Sequence, residues 1–235
     1  MKLKNFLILA LSLAFVMPLF AQEKTLKRKV AIGRFSNETQ YAKMYEEKPL
    51  TFLMPPINNT TNVDAKEYLF TSISRPIVES GYYVISPMLS MEIMKSESAY
   101  DAELFIDGDQ SAFRKYFGAD AVIYTEINSW AKQGFGITTD LRYIMKSTVT
   151  YEVLFERSCH LYLDLSVSNS EGGAFGALFA LAASAINTAA TEHITAARKA
   201  NYYILRDMPR GKYSPDYMLD METPAEERNV NVYVK

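Results

Sequence analysis

The order of signals between Leu50 and Ser86 constrains the fold more than any other part of the chain. An apolar run, LTFLM (50–54), ends on Pro55 and Pro56, and a polar stretch, INNTTN (57–62), leads to Asp64. From Lys66 to Glu79 the apolar residues Tyr68, Leu69, Ile73, Ile77 and Val78 recur at helical spacing, with Asp64 placed to cap that helix. Gly81 suits the helix's carboxyl end, and YYVIS (82–86) reads as a further strand closed by Pro87. Strand, helix and strand in this order make a β-α-β unit, which requires parallel neighbours in a sheet covered by helices. The expected fold is therefore α/β, a mixed β-sheet flanked by helices in a single domain.

Pro55 and Pro56 cannot donate to a ladder, so they are expected to end the strand, while Asn and Thr side chains satisfy the loop and helix-start amides. On this reading Pro55, Pro56, Asn58, Asn59 and Thr60 form a stiff loop suited to contact a partner. Open α/β sheets also place ligands at the carboxyl ends of strands, so Asn58 to Thr60 with Asp64 is the alternative, a small-ligand or hydrolase site. Asn and Thr bring no general base or nucleophile activator, which favours the contact reading.

The amino terminus adds a compartment. MKLKNFLILALSLAFVMPLFAQ has Lys2 and Lys4 ahead of an apolar run from Phe6 to Val16, with Leu19 and Ala21 before Gln22, the layout of a secretory signal peptide over 1–21. Without Lys2 and Lys4 the formal net charge goes from −2 to −4, and no long basic run exists, so nucleic acid is not an expected partner. The single cysteine, Cys159, rules out an intramolecular disulfide framework and, in the apolar-alternating CHLYLDLSV, reads as a buried inert thiol.

Elsewhere, KVAIGRF (29–35) followed by Ser36-Asn37-Glu38-Thr39 partly repeats the strand-then-Asn-x-Thr pattern and assigns 22–44 to an amino-terminal extension with one edge strand. Short helices are expected over Met88–Ser96 and Gln110–Phe117, the latter stopping at Gly118, followed by a central strand over Ala121–Trp130. Leu141–Val153 and Leu154–Val167 alternate as antiparallel strands. A helix is expected from Gly173 to about Ala200, with Tyr202–Leu205 as one more short strand. An α/β domain is expected over 45–217, with 218–235 as an extended tail.

Signals for chemistry are weak. Glu171-Gly172-Gly173-Ala174-Phe175-Gly176 opens a helix after a strand, but Glu171 stands where a dinucleotide fingerprint needs glycine, and no P-loop lysine follows. Asp101, Glu103, Asp107 and Asp109 form an acidic patch without the EF-hand spacing. His160 and His193 have no ligand-like spacing, so no metal, no cofactor and no catalytic residue is expected. Gly172, Gly176, Ala180, Ser184 and Thr188 recur every four residues, a small-residue face for close packing of a homo-oligomer or a channel. The twenty uncharged residues from Gly172 to Thr191 could span a bilayer by length, but Ser184, Asn187 and Thr188 favour packing in the protein or on a partner.

LMPPINNTTNVDAKEYL, GYYVISP, FGADAVIYTEI, the GGAFGALFALAASAIN segment and GKYSPDY together resemble a bacterial outer-membrane lipoprotein family of unknown function, related to the curli-secretion protein CsgG and the TolB amino-terminal domain. The resemblance covers roughly Tyr45 to Tyr217. It implies a TolB-N/CsgG-like envelope domain at the periplasmic side of the outer membrane, often encoded beside a CsgG-like channel and without established enzyme activity. Lys29 to Gln40 resembles the opening of the CsgG-like channel proteins themselves. Gln22 stands where family members carry an acylated cysteine, so a soluble periplasmic protein, or one held by a partner, is expected. The function expected is a non-catalytic accessory of a CsgG-like outer-membrane secretion or surface-assembly system.

Overall fold

A computed structural model describes residues 38–165, 189–221, 223 and 227–234. The signal peptide, the Lys29–Phe35 strand and the row Gly172, Gly176, Ala180 and Ser184 lie outside the described residues. The elements run α1 (Glu38–Glu47), β1 (Thr51–Leu53), β2 (Ile57–Asn58), α2 (Asp64–Glu79), α3 (Pro87–Ser96) and a 3-10 turn (Ala102–Leu104). They continue with α4 (Ser111–Phe117), β3 (Ala121–Gln133), β4 (Gly136–Ser147), β5 (Val153–Asp164), α5 (Ala189–Leu205) and β6 (Asn229–Val234).

The sheet is mixed and flanked by helices. Its order is β1, β3, β4, β5, β6, with β2 also on β3. β1 and β2 lie parallel to β3, β3 to β5 form an antiparallel meander, and β6 is parallel to β5. On one face Ile123, Ile127, Leu141 and Leu161 pack with Leu69, Ile73 and Ile77 of α2 and with Ala196, Ala200 and Ile204 of α5. On the other face Phe52, Met54, Val122, Tyr124 and Ile144 meet Met94 of α3 and Phe113 of α4. Phe52 lies 5.0 Å from Phe113 and 4.7 Å from Phe117 between ring centroids, in tilted geometry. Cys159 is buried, as CHLYLDLSV implies.

The two prolines interrupt the ladder without ending it. Leu53 pairs with Ile123 and Ile57 with Glu126, so four steps on this strand oppose three on β3. Met54 N–H donates to Ile123 O and Asn59 N–H to Ile127 O, both at 3.0 Å. Pro55 and Pro56 occupy the bulged stretch between them, where no ladder N–H is called for. The helix cap also differs from expectation. Asp64 is the first residue of α2, and it is the Asn62 side-chain oxygen that accepts the Ala65 N–H at 3.2 Å. Asp64 and Glu67 place negative charge on the first turn.

Tyr82–Ser86 contributes a single bridge, Val84 to Thr51, because Pro87 starts α3 at once. Tyr202–Leu205 is not a strand but the last turn of α5. The Ala196, Ala200, Ile204 stripe carries the helix onto the core and overrides the local β preference of two tyrosines and an isoleucine. The expected turn at Ser36–Thr39 gives way to α1 from Glu38, which crosses the expected boundary at 45 and buries Met44 and Tyr45. Residues 218–235, expected as an extended tail, include β6 and Asp220, which accepts a 2.6 Å hydrogen bond from Tyr45 Oη. Among the described residues no helix is long and apolar enough to cross a membrane.

Candidate functional site

The loop after β1 consumes its own polar groups. Asn58 Oδ1 accepts from Thr60 N–H at 3.1 Å and from Thr60 Oγ1 at 2.8 Å, while Asn58 Nδ2 donates to Asn62 O at 2.8 Å. Thr60 Oγ1 in turn accepts the Asn62 N–H at 3.2 Å. Pro55 and Pro56 are buried, Asn58 and Thr60 half-buried, and Asn59 exposed. Of the five residues named for partner contact, only Asn59 is thus fully presented. Its Nδ2 donates to Asn128 Oδ1 at 3.0 Å, and Asn128 is the extra residue of a register shift in β3. Val63, 80% exposed, is the apolar element of the same surface. This network of internal hydrogen bonds holds the loop in one conformation and leaves few donors for a small ligand.

A second surface adjoins it. Because α3 and α4 cover only the β1–β3 end, the remaining outer residues of β3, β4 and β5 form an open polar face. There Arg142 bridges Glu126 (Nη1 to Oε2, 3.2 Å) and Glu156 (Nη2 to Oε1, 2.6 Å), and Arg228 pairs with the other oxygen of Glu156. Partial burial pulls the Arg142 pKa down, and the Glu156 and Glu126 carboxylates more than offset it, leaving the guanidinium pKa raised. Further along the same two strands, His160 Nδ1 lies 2.5 Å from Asp140 Oδ1. Tyr162 stacks on Tyr233 at 5.5 Å, and Tyr233 Oη donates to Asp164 at 2.7 Å. Glu126, Arg142, Glu156 and Arg228 pair acid with base across the strands, a pattern suited to a polar protein contact rather than to a polyanion. This face went unread in the sequence, although charged or polar residues at every second position of TEINSW, DLRYI and ERSCHLYLD carried its signal.

Nothing described converges on chemistry. Cys159 faces the core and His160 the opposite side of the sheet. His193 on α5 accepts from Trp130 Nε1 at 2.8 Å and stacks on Tyr68, its centroid 6.0 Å away. In the acidic patch, Asp109 accepts Ser111 N–H and Oγ at 2.7 Å, and those bonds, the backbone one first, hold its carboxyl below the usual range. Among the described residues no group of three or more His, Cys, Asp or Glu side chains is placed to hold a metal. Grooves on the surface of the described residues include these three. One of about 380 Å³ is apolar, between α3 and α4, lined by Ile93, Phe105, Tyr116 and Phe117. One of about 660 Å³ separates α2 from α5, with Arg75, Arg198 and Lys199. The third, of about 590 Å³, runs along β6. Asp64 lines none of the three, so no hollow joins it to a second titratable group there.

A curated relative, "Putative lipoprotein NMB1124/NMB1162" of Neisseria meningitidis serogroup B (strain ATCC BAA-335 / MC58), is 28% identical over 91 residues, covering 38% of this chain and 42% of the relative. The match therefore spans about two-fifths of that relative's length. Among solved structures, lipoprotein GNA1162 from Neisseria meningitidis is similar at 20% identity and a TM-score of 0.43, covering 60% of this chain and 97% of that one. The PelC dodecamer from Paraburkholderia phytofirmans is similar at 12% identity and a TM-score of 0.37, covering 66% of this chain and 85% of that one. Residues 39–211 match the family described as "Putative lipoprotein GNA1162-like", and the chain belongs to that family.

Proposed function

We propose that this protein is a non-catalytic accessory of a CsgG-like outer-membrane secretion or surface-assembly system, working by contact at the periplasmic face of the outer membrane. The observation that carries the reading is the self-satisfied Asn58–Asn62 loop beside the ion-paired sheet face, two rigid polar surfaces whose ionisable groups are engaged with one another. Such surfaces lose little entropy on docking, because their side chains are already ordered. Membership of a lipoprotein family supports an envelope location. Asn59 and Val63 form the exposed part of the loop contact, and the row Gly172, Gly176, Ala180 and Ser184 is a second packing face toward a channel or another copy.

Photo-cross-linking tests this. A photoreactive residue at Asn59 or Val63, in cells, is expected to yield an adduct with an outer-membrane protein, while the same probe at Lys199 on the far side of the sheet yields none. Absence of any adduct at Asn59 and Val63 in cells that carry the partner system would sink the reading. Replacing Gly176 and Ala180 with leucine is expected to reduce partner recovery, and unchanged recovery counts against that second face.

A further inference from the structure

Among the described residues β6 presents a free edge that lacks the usual protections. Asn229–Val234, NVNVYV, holds no proline, no lysine and no other charge within the strand, and no bulge interrupts its pairing with β5. Sheet edges of this kind template pairing with another strand unless they are blunted. At the opposite edge, among the described residues, Tyr82–Ser86 makes the single Val84 bridge before turning into α3.

The direction of the β6 backbone groups follows from its ladder. Ser158 is aligned with Asn229, and Ser158 N–H donates to Arg228 O at 2.9 Å. In a parallel pair successive residues turn their N–H and C=O alternately toward and away from the neighbour, so residues 228, 230, 232 and 234 address β5. Asn229, Asn231 and Tyr233 direct theirs outward. The side chains of these three lie on the exposed face, whereas Val230 and Val232 pack against the core.

We infer that this edge is a homodimer interface, in which β6 pairs antiparallel with β6 of a second copy across a two-fold axis at Asn231. In an antiparallel pair, outward-directed residues must meet outward-directed residues, since only these exchange both bonds. The register that does so with most overlap sets Asn231 opposite Asn231 and Asn229 opposite Tyr233. It also sets Val230 opposite Val232 on the core side, so the polar row meets a polar row and the apolar row an apolar one, with no like charges opposed. A second copy is thus the occupant whose pattern the edge matches by symmetry. A six-residue ribbon falls short of the roughly 1,000 Å² a stable interface needs, so the groove beside it must close as well. Tyr203 of α5 and Arg206 just past its end line that groove along Val230 and Val232, placing an aromatic ring against the partner's valines.

Disulfide trapping and light scattering on the mature chain decide the matter. Antiparallel hydrogen-bonded partners lie about 5.5 Å apart at Cα, within disulfide reach. Asn231→Cys is expected to form a covalent dimer under mild oxidation. Asn229→Cys or Tyr233→Cys alone should not, but an equal mixture of the two should; wild type, whose Cys159 is buried, serves as the blank. Wild type should scatter as a dimer, and Asn231→Pro, which deletes an outward N–H and none of the β5 ladder, should scatter as a folded monomer. A monomeric wild type, a dimer in which Tyr233→Cys cross-links as readily as Asn231→Cys, or a dimer that survives Asn231→Pro would each overturn the proposal. Should Asn231→Pro fail to fold, the cysteine pairs still decide.

Discussion

Asn201 occupies the buried face of α5, where the surrounding Ala196, Ala197 and Ala200 suggest that another alanine would pack. Its amide is instead the junction of three elements. Tyr143 Oη of β4 donates to Asn201 Oδ1, and Asn201 Nδ2 donates to Leu69 O at 3.2 Å and Ser72 Oγ at 2.8 Å on α2. Burial pushes the Tyr143 hydroxyl well above its ordinary pKa, so it stays a neutral donor throughout the usual range. Tyr143→Phe strands the amide oxygen in the core, and a loss of about 1–3 kcal/mol in urea unfolding is expected. A change within error would mean that the junction is not what holds α5 to the sheet. Arg157, with no exposed side-chain surface, plays a related part by donating to Ile204 O at 2.7 Å and pairing with Asp207 just past the helix end. Little of this was legible beforehand. Cys159 could be placed in the core from the alternation of CHLYLDLSV, but an asparagine in an alanine-rich helix and an arginine in an alternating strand carry the sequence signature of surface residues.

The helix-to-strand connections were the best read elements, because their punctuation is chemical. Gly118 ends α4 at φ +68°, and Gly81 follows α2 at φ +88°. At Gly81 the sequence showed only the helix stop and not the packing. A Cβ there would lie 2.5 Å from Ser214 Cβ, and one on Gly211 would lie 2.4 Å from Gly81 O. Gly211 N–H donates to Ser80 O at 2.8 Å and Tyr213 N–H to Gly81 O at 3.1 Å, so the segment after α5 is bonded to the α2 terminus. Gly81→Ala is expected to cost more than the roughly 1–2 kcal/mol of a left-handed alanine, because backbone must also move. Gly134→Ala, at φ +60° with nothing within 4 Å, should lose the conformational part alone. Equal unfolding midpoints for the two variants would refute the packing argument. The two misread elements differ in cause. Tyr202–Leu205 takes its state from the buried stripe of a helix that no local pattern records, whereas NVNVYV of β6 alternates with period two and carried a local strand signal that the proline-rich stretch before it obscured.

At the scale of the molecule, the carboxyl-terminal segment joins parts that the α/β core leaves separate. Residues past α5 tie to the α2 terminus through Gly211 and to Tyr82, whose hydroxyl donates to Pro209 O at 2.6 Å. They tie to α1 through Asp220, which accepts from Tyr45 Oη at 2.6 Å and Arg210 N–H at 2.8 Å, and then return as β6. The two kinds of tie have different energetic weight. β6 covers one edge of an already paired strand, whereas the Pro209–Asp220 turn fills the junction of α1, α2 and the sheet, where Tyr45 and Tyr82 are buried. A chain ending after Met221 should therefore unfold cooperatively at a lowered midpoint, having lost ladder bonds and the burial of Val234. One ending after Met208 should lose cooperativity in thermal circular dichroism and become sensitive to limited proteolysis, since Tyr45, Tyr82 and the α2 terminus are left without cover at once. If the shorter chain melts as sharply as the longer, the domain closes without its tail, and the turn is an ornament on a core complete at Leu205.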